Sequence, residues 1–205
     1  MKNLKLIFLA LGCMAALSLT SCLKDDDNNS NGLSKAQIAQ CVNAVQGSYT
    51  GKMVYQTLSA IDTVDVSWSI GADTMLVLTP FPAKAFADQI YNNDLRNALL
   101  ESNPQREVRC YLGFYQCDTE VLFVVGPQKV DFPVFYNNAT HTLSLYFWAD
   151  LTYGSYGYKN VSTGAMEARL VMAAAYLDNN ETMNCLNGMS SALTSVPVKI
   201  STLLK

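Results

Sequence analysis

The sequence predicts a mainly β protein, an antiparallel barrel or two-sheet sandwich of about eight to nine strands with little helix. Three observations carry this. From Ser48 onward, apolar and polar residues alternate with period two, the pattern of half-buried strands. Turn signals interrupt that alternation at short intervals: Gly71-Ala72-Asp73, Gly126-Pro127 and Asn137-Asn138. Only two stretches of the folded part, 34–47 and 83–101, carry helical periodicity. Antiparallel strands joined by short turns must pair or close their edges, which is what a barrel or a sandwich does.

The chain opens with Lys2 and Lys5 and an apolar run from Leu6 to Leu17. That is the charged and apolar part of a secretory signal, too short to span a bilayer as a helix. Leu19-Thr20-Ser21-Cys22 fits a lipoprotein signal-peptidase site, at which the Cys22 thiol is diacylated and the new N-terminus acylated with chains such as palmitate. Cys13 is preceded by only a stub of apolar residues, so Cys22 is the expected lipidation site. Each buried methylene contributes about 0.8 kcal/mol, so two or three acyl chains hold a protein stably on a membrane. Residues 1–21 are therefore read as signal peptide, 22–33 as a flexible polar tether, and 34–205 as a single domain. The expected partner is the outer membrane, through the lipid anchor.

Removing residues 1–21 from the 205 leaves 184, an ordinary size for one domain. The 14 basic residues fall to 12 when Lys2 and Lys5 leave with the signal, against 17 acidic ones. A mildly acidic chain has no clustered Lys and Arg for phosphates, so no nucleic-acid partner is expected. Half the residues are apolar, which supplies a core.

In the tether, Asp27-Asn28-Asn29-Ser30-Asn31-Gly32 matches the first half of a calcium loop, but Ile38 stands where that loop needs a bidentate Glu. Ser34 and Gln37 then form a capping box, with Ile38, Cys41, Val42 and Val45 on one stripe and Gly47 ending the helix. Inward positions on the first strands are Tyr49, Met53 and Tyr55, then Val64, Val66, Trp68 and Ile70. A strand at 74–79 ends at Phe81-Pro82, with Pro82 placed in the first turn of the 83–101 helical insertion. Asn92-Asn93-Asp94 breaks or recaps that insertion. Strands resume at 106–116, 119–126, 129–136 and 141–150, followed by 165–177 and 194–203.

Helix, Gly47-Ser48-Tyr49-Thr50-Gly51 and first strand, placed after a lipoprotein signal, resemble the small lipocalin-like lipoproteins of unknown function in Bacteroidota. Lys24-Asp25-Asp26-Asp27 resembles the acidic signal that moves such lipoproteins to the cell surface. The resemblance implies a calycin-type barrel exposed outside the cell and carries no catalytic residues.

Composition argues against an enzyme. His141 is the one histidine, there is no Gly-x-Ser-x-Gly elbow, and Asp62 and Asp65 have unequal parity on their strand. Cys41, Cys110, Cys117 and Cys185 lack zinc-site spacing, so neither metal nor cofactor is expected. They permit two disulfides, or four free thiols; Cys110 and Cys117 cannot join while both lie on one extended strand. Asp62-Thr63 and Asp73-Thr74 resemble short O-glycosylation sites of exported Bacteroidota proteins.

The candidate binding residues are aromatic: Tyr146, Trp148, Tyr153, Tyr156 and Tyr158, the last three in a glycine-rich stretch read as a loop. Flat rings of this kind stack on sugars or form adhesive contacts. The small side chains Ala168, Ala173, Ala174 and Ala175, opposite large ones on the early strands, predict an off-centre apolar pocket inside the barrel. The function expected is therefore a non-catalytic module binding a small apolar or glycan ligand. The alternative is an adhesive module with a solid core and a Tyr-rich contact loop.

Overall fold

A computed structural model describes residues 32–186 and 197–203. The lipidation site, the export signal and the 194–196 portion of the last expected strand lie outside them.

The described residues form a closed antiparallel barrel. Its elements are α1 (Lys35–Val45), β1 (Gly47–Gln56), β2 (Ile61–Ile70), β3 (Met75–Pro82), α2 (Lys84–Ala87) and α3 (Asn93–Ser102). Then come β4 (Gln105–Cys117), β5 (Glu120–Pro127), β6 (Val130–Tyr136), β7 (Ala139–Trp148), β8 (Tyr156–Asn160), β9 (Met166–Leu177) and β10 (Val198–Ser201). The ring runs β10-β1-β2-β3-β4-β5-β8-β9 and closes through β9 and β10.

The remaining two strands prolong members of the ring. β5 pairs with β4 up to Cys110↔Pro127, after which Gln128 donates to the Arg109 carbonyl and Arg106 Nε to that of Asp131. The chain thus keeps its direction from β5 into β6. Gly126-Pro127, expected to reverse it, only kinks one long stave. On the other side, β7 and β8 pair in succession with the same strand β9, so they too form one stave, interrupted at 149–155.

One mouth is plugged by α1, whose capping box forms as expected, Ser34 Oγ accepting from the Gln37 amide at 3.3 Å. Its buried Cys41 and Val45 pack into the core with Ile38 and Val42 beside them. Lys159 ties down the helix end, donating from Nζ to the Ala44 carbonyl at 2.7 Å and to Tyr49 Oη at 2.9 Å. Tyr49 Oη in turn donates to the Val45 carbonyl, and its ring stacks on Trp68 with centroids 5.6 Å apart. A cation at a helix C-terminus has the favourable sign for its dipole.

The other mouth is closed by α2 and α3. Asn92 recaps the insertion, its side chain accepting from the Leu95 amide at 3.0 Å. Pro82 ends β3 instead of starting a helix. Beneath this lid Phe86 meets Phe132 at 4.9 Å, while Phe81 touches both Phe86 and Phe147.

Inward residues are apolar, and the outside of β1 and β2 is polar, with Thr50, Lys52, Asp65 and Ser67 bordering a shallow outer groove. On these two strands the alternation is the reverse of a membrane-spanning barrel's. The expected apolar pocket is not where the alanines suggested. β9 carries a bulge at Ala173, because Tyr146 pairs with Ala174 but Phe147 with Met172. Parity therefore switches: Ala168, Leu170, Met172 and Ala175 join the core, and Ala174 sits opposite outward Tyr146. The room beside Gly157 and Ala168 is already filled. A Cβ on Gly157 would lie 2.6 Å from the Phe123 ring and 2.8 Å from Ala168 Cβ, so Phe123 occupies the space those two leave. Two concavities, one beside Thr50, Lys52, Asp65 and Ser67 and one beside Ala98, Glu101, Ser102 and Phe135, open on the outer surface.

Candidate binding surface on the outer wall

The stave made of β7 and β8 carries its aromatic residues on alternate positions. On β7, Leu143, Leu145 and Phe147 turn toward the core, which leaves Tyr146 and Trp148 on the outer parity. On β8, Gly157 is buried against Phe123, leaving Tyr156 and Tyr158 outward. Across β9 these residues face Ala174, Val171, Arg169 and Glu167 in turn. Successive outward positions on a strand are about 6.6 Å apart. The result is a ladder of four rings along one stave.

The break at 149–155 is closed locally. The Ser155 amide donates to the Trp148 carbonyl at 2.7 Å, bringing the two ends of the excursion together. Buried Ser155 then serves both neighbouring strands, its Oγ accepting from the Val171 amide at 2.8 Å and its carbonyl from the Val125 amide at 3.0 Å. Within the loop, Asp150 Oδ1 accepts from the Thr152 and Tyr153 amides at 2.8 and 2.7 Å. A Cβ on Gly154 would fall 2.5 Å from the Asp150 amide nitrogen, so glycine is what permits this tight turn. Tyr153 is displayed at its tip, half-exposed.

Arg169 braces the arrangement. Its guanidinium lies 4.2 Å from the Tyr156 ring centroid, while Nε donates to the Gly154 carbonyl at 2.9 Å and a terminal nitrogen to that of Thr152 at 3.1 Å. Below it, Tyr158 Oη donates to Glu167 at 2.9 Å; burial and then the Glu167 carboxylate hold its phenol above the usual range. At the upper end Tyr146 meets Tyr176 edge-on at 5.6 Å, and Trp148 Nε1 is buried without a hydrogen-bond partner.

All five sequence-selected aromatic residues therefore belong to one stave, but not as one loop. Tyr156 and Tyr158 sit on a strand that sequence reasoning missed. Its outward residues are themselves aromatic, so the polar half of the alternation is absent. Arg169 was missed as well, together with an aromatic extension across the wall. Val124 and Leu122 on β5 pair with Tyr156 and Tyr158; on β4 they face Gly113 and Gln116, with exposed Tyr111 opposite Gly126 and exposed Tyr115 at the bulge between. The spacing Tyr111-x-Gly113-x-Tyr115, against inward Leu112 and Phe114, is the signal that marks this outer row.

Elsewhere, polar side chains are engaged in local ties. His141 Nδ1 lies 2.6 Å from Asp178, which also accepts from the Thr142 amide. Those two bonds, His141's first, hold the Asp178 carboxyl below its ordinary value. Asp62 accepts from Tyr55 Oη at 2.7 Å, whereas Asp65 pairs with Lys52, so the two carboxylates do not converge. Thr63 is exposed on β2 and Thr74 holds a left-handed turn with φ 61°. The four described cysteines are free thiols, and no group of three or more potential metal ligands occurs among the described residues.

Fold and surface define a β-barrel module with plugged mouths and an aromatic outer wall. A family model described as a domain of unknown function, DUF4840, matches residues 44–177, well over half of the chain, and the protein belongs to that family. The match runs from the last turn of α1 through β9 and contains the whole aromatic stave. No curated protein and no solved structure matches the chain.

Proposed function

We propose that this protein is a lipid-anchored, non-catalytic barrel module at the outer membrane that contacts glycan chains with its outer wall. The observation that carries the reading is the aromatic stave itself. Rings are held on alternate outward positions and braced by Arg169, over an interior in which Phe123 fills the space beside Gly157 and Ala168. Such rings offer flat apolar faces to sugar, and the neighbouring Arg169 and Glu167 are polar groups of the kind that bond hydroxyls. The anchor at Cys22 and the acidic tether would present the wall outside the cell, in line with the likeness to surface lipoproteins. A small apolar ligand inside the barrel is the weaker reading, because Phe123 fills the space beside Gly157 and Ala168.

Titration with glucose and mannose hexasaccharides, followed by tryptophan fluorescence, tests it. Saturable binding is expected, weakened at least tenfold, or about 1.4 kcal/mol, in the Tyr156→Ala/Tyr158→Ala double variant. Both replaced rings are outward and half-buried, so the fold should survive. Absence of binding to either sugar, or equal binding by the variant, contradicts the proposal.

A further inference from the structure

The four free cysteines are not equivalent. Cys110 is fully buried in the middle of β4, and Cys185 lies at the mouth covered by α2 and α3, where its carbonyl accepts from the Tyr91 amide. Cys41 and Cys117 meet at the opposite mouth. Cys41 projects from the plug helix α1 onto the end of β4, its Sγ 3.8 Å from the carbonyl of Gln116, the residue before Cys117. The Cys41 thiol therefore sits one residue along the rim from Cys117. Cys41 and Cys117 are the pair the fold brings together: Cys110 lies seven strand residues, about 23 Å, from Cys117, and Cys185 is at the far mouth.

We infer that Cys41 and Cys117 form a redox staple, a disulfide that locks the plug helix onto the barrel rim when the chain meets a disulfide donor. Cys117 is the half-buried member and packs at the edge of the core, so an external donor reaches it first. Cys41 is completely buried, and burial, followed by the neighbouring Cys117, pushes its thiol up to about 12. It is therefore protected in the reduced form and suited to the second, internal step.

The chemistry balances with the donor as sole co-reactant. The Cys117 thiolate attacks one sulfur of a low-molecular-weight disulfide, forms a mixed disulfide and expels one thiolate. Cys41 then gives up its proton and attacks the Cys117 sulfur, expelling the second thiolate. The protein loses two electrons and two protons, and the donor disulfide becomes two thiols. An exported chain, as the N-terminal signal leads one to expect, would meet such donors.

Closing the bond links the plug to a strand 76 residues further along, a long loop whose restriction in the unfolded chain is worth most. The bond would also act where Lys159 already holds the helix end, so plug and rim would become one rigid unit.

The test incubates the full chain with oxidised glutathione, blocks remaining thiols after denaturation and maps the peptides without reduction. A Cys41–Cys117 linked peptide is expected, with Cys110 and Cys185 still alkylated. Amide exchange in α1 should slow at least tenfold and the thermal midpoint rise by roughly 5–15 °C, both reversed by a thiol reductant. Cys117→Ala should remove the linked peptide and both shifts. Failure to form that peptide, formation of another pair, or a linked protein with unchanged α1 exchange overturns the inference. The readout is independent of sugar binding, so it stands or falls separately from the proposed function.

Discussion

Gly51→Val will open the barrel along the seam between β1 and β10. A side chain at this position meets backbone alone: its Cβ would lie 2.1 Å from the Ser201 carbonyl oxygen, 2.9 Å from the carbonyl carbon and 3.1 Å from Thr202 Cα. None of these atoms can rotate away, so β10 must move as a unit. β10 has four residues, and it holds the ring closed through Lys52↔Ser201 and Met53↔Ile200 on one side and Leu170↔Val198 on the other. Displacing it exposes Val198 and Ile200, both essentially inaccessible now, and leaves two strand edges unpaired. Two buried aliphatic side chains are worth about 3–6 kcal/mol, which lowers the thermal midpoint of a domain this size by roughly 10 °C or more. Gly164→Ala is the control. Nothing lies within 4 Å of its Cβ position, and its φ of 72° costs only backbone strain of about 1 kcal/mol. Midpoints measured by thermal denaturation should separate the two variants clearly. Equal midpoints would show that β10 is not the closing stave.

Cys22→Ala has the largest effect expected in the cell. If the signal ends at Ser21, the thiol of Cys22 is the attachment point for the diacyl group, and its removal abolishes lipidation altogether. Growth with a clickable fatty acid should label the wild type and Cys13→Ala equally and leave Cys22→Ala unlabelled and absent from the outer membrane. Replacing Lys24–Asp27 with alanines should keep the label but reduce cleavage by protease added outside the cell. Label persisting on Cys22→Ala contradicts the assignment.

What the sequence made legible were features encoded by neighbours in the chain. The Ser34–Gln37 capping box, the Asn92 recapping and the inward set Met53, Tyr55, Val66, Trp68 and Ile70 all appear as read. Each depends on spacings of two to four residues. What stayed hidden depends on partners far away. Gly126-Pro127 looks like a reversal, yet the ladder to β4 carries the chain straight through it. The bulge at Ala173 is fixed by pairing with Tyr146 and Phe147, and it turns Ala174 away from the interior. Whether small residues leave a hole depends on what faces them, and Phe123 across the sheet is what fills it. The aromatic site was half legible for the same reason. Five of its residues stood out by composition, whereas Arg169, Tyr111 and Tyr115 join them only through strand order.

Phe123 fills the barrel beside Gly157 and Ala168, and the proposed contacts lie on the outer wall. The most direct measurement is titration of the chain beginning at Leu23 with an apolar fluorescent fatty acid. A filled barrel gives no saturable binding, and none gained or lost on replacing inward Ala168 by leucine. One-to-one binding by the unsubstituted chain, abolished by Ala168→Leu with the fold intact, would show instead an open interior that holds a ligand.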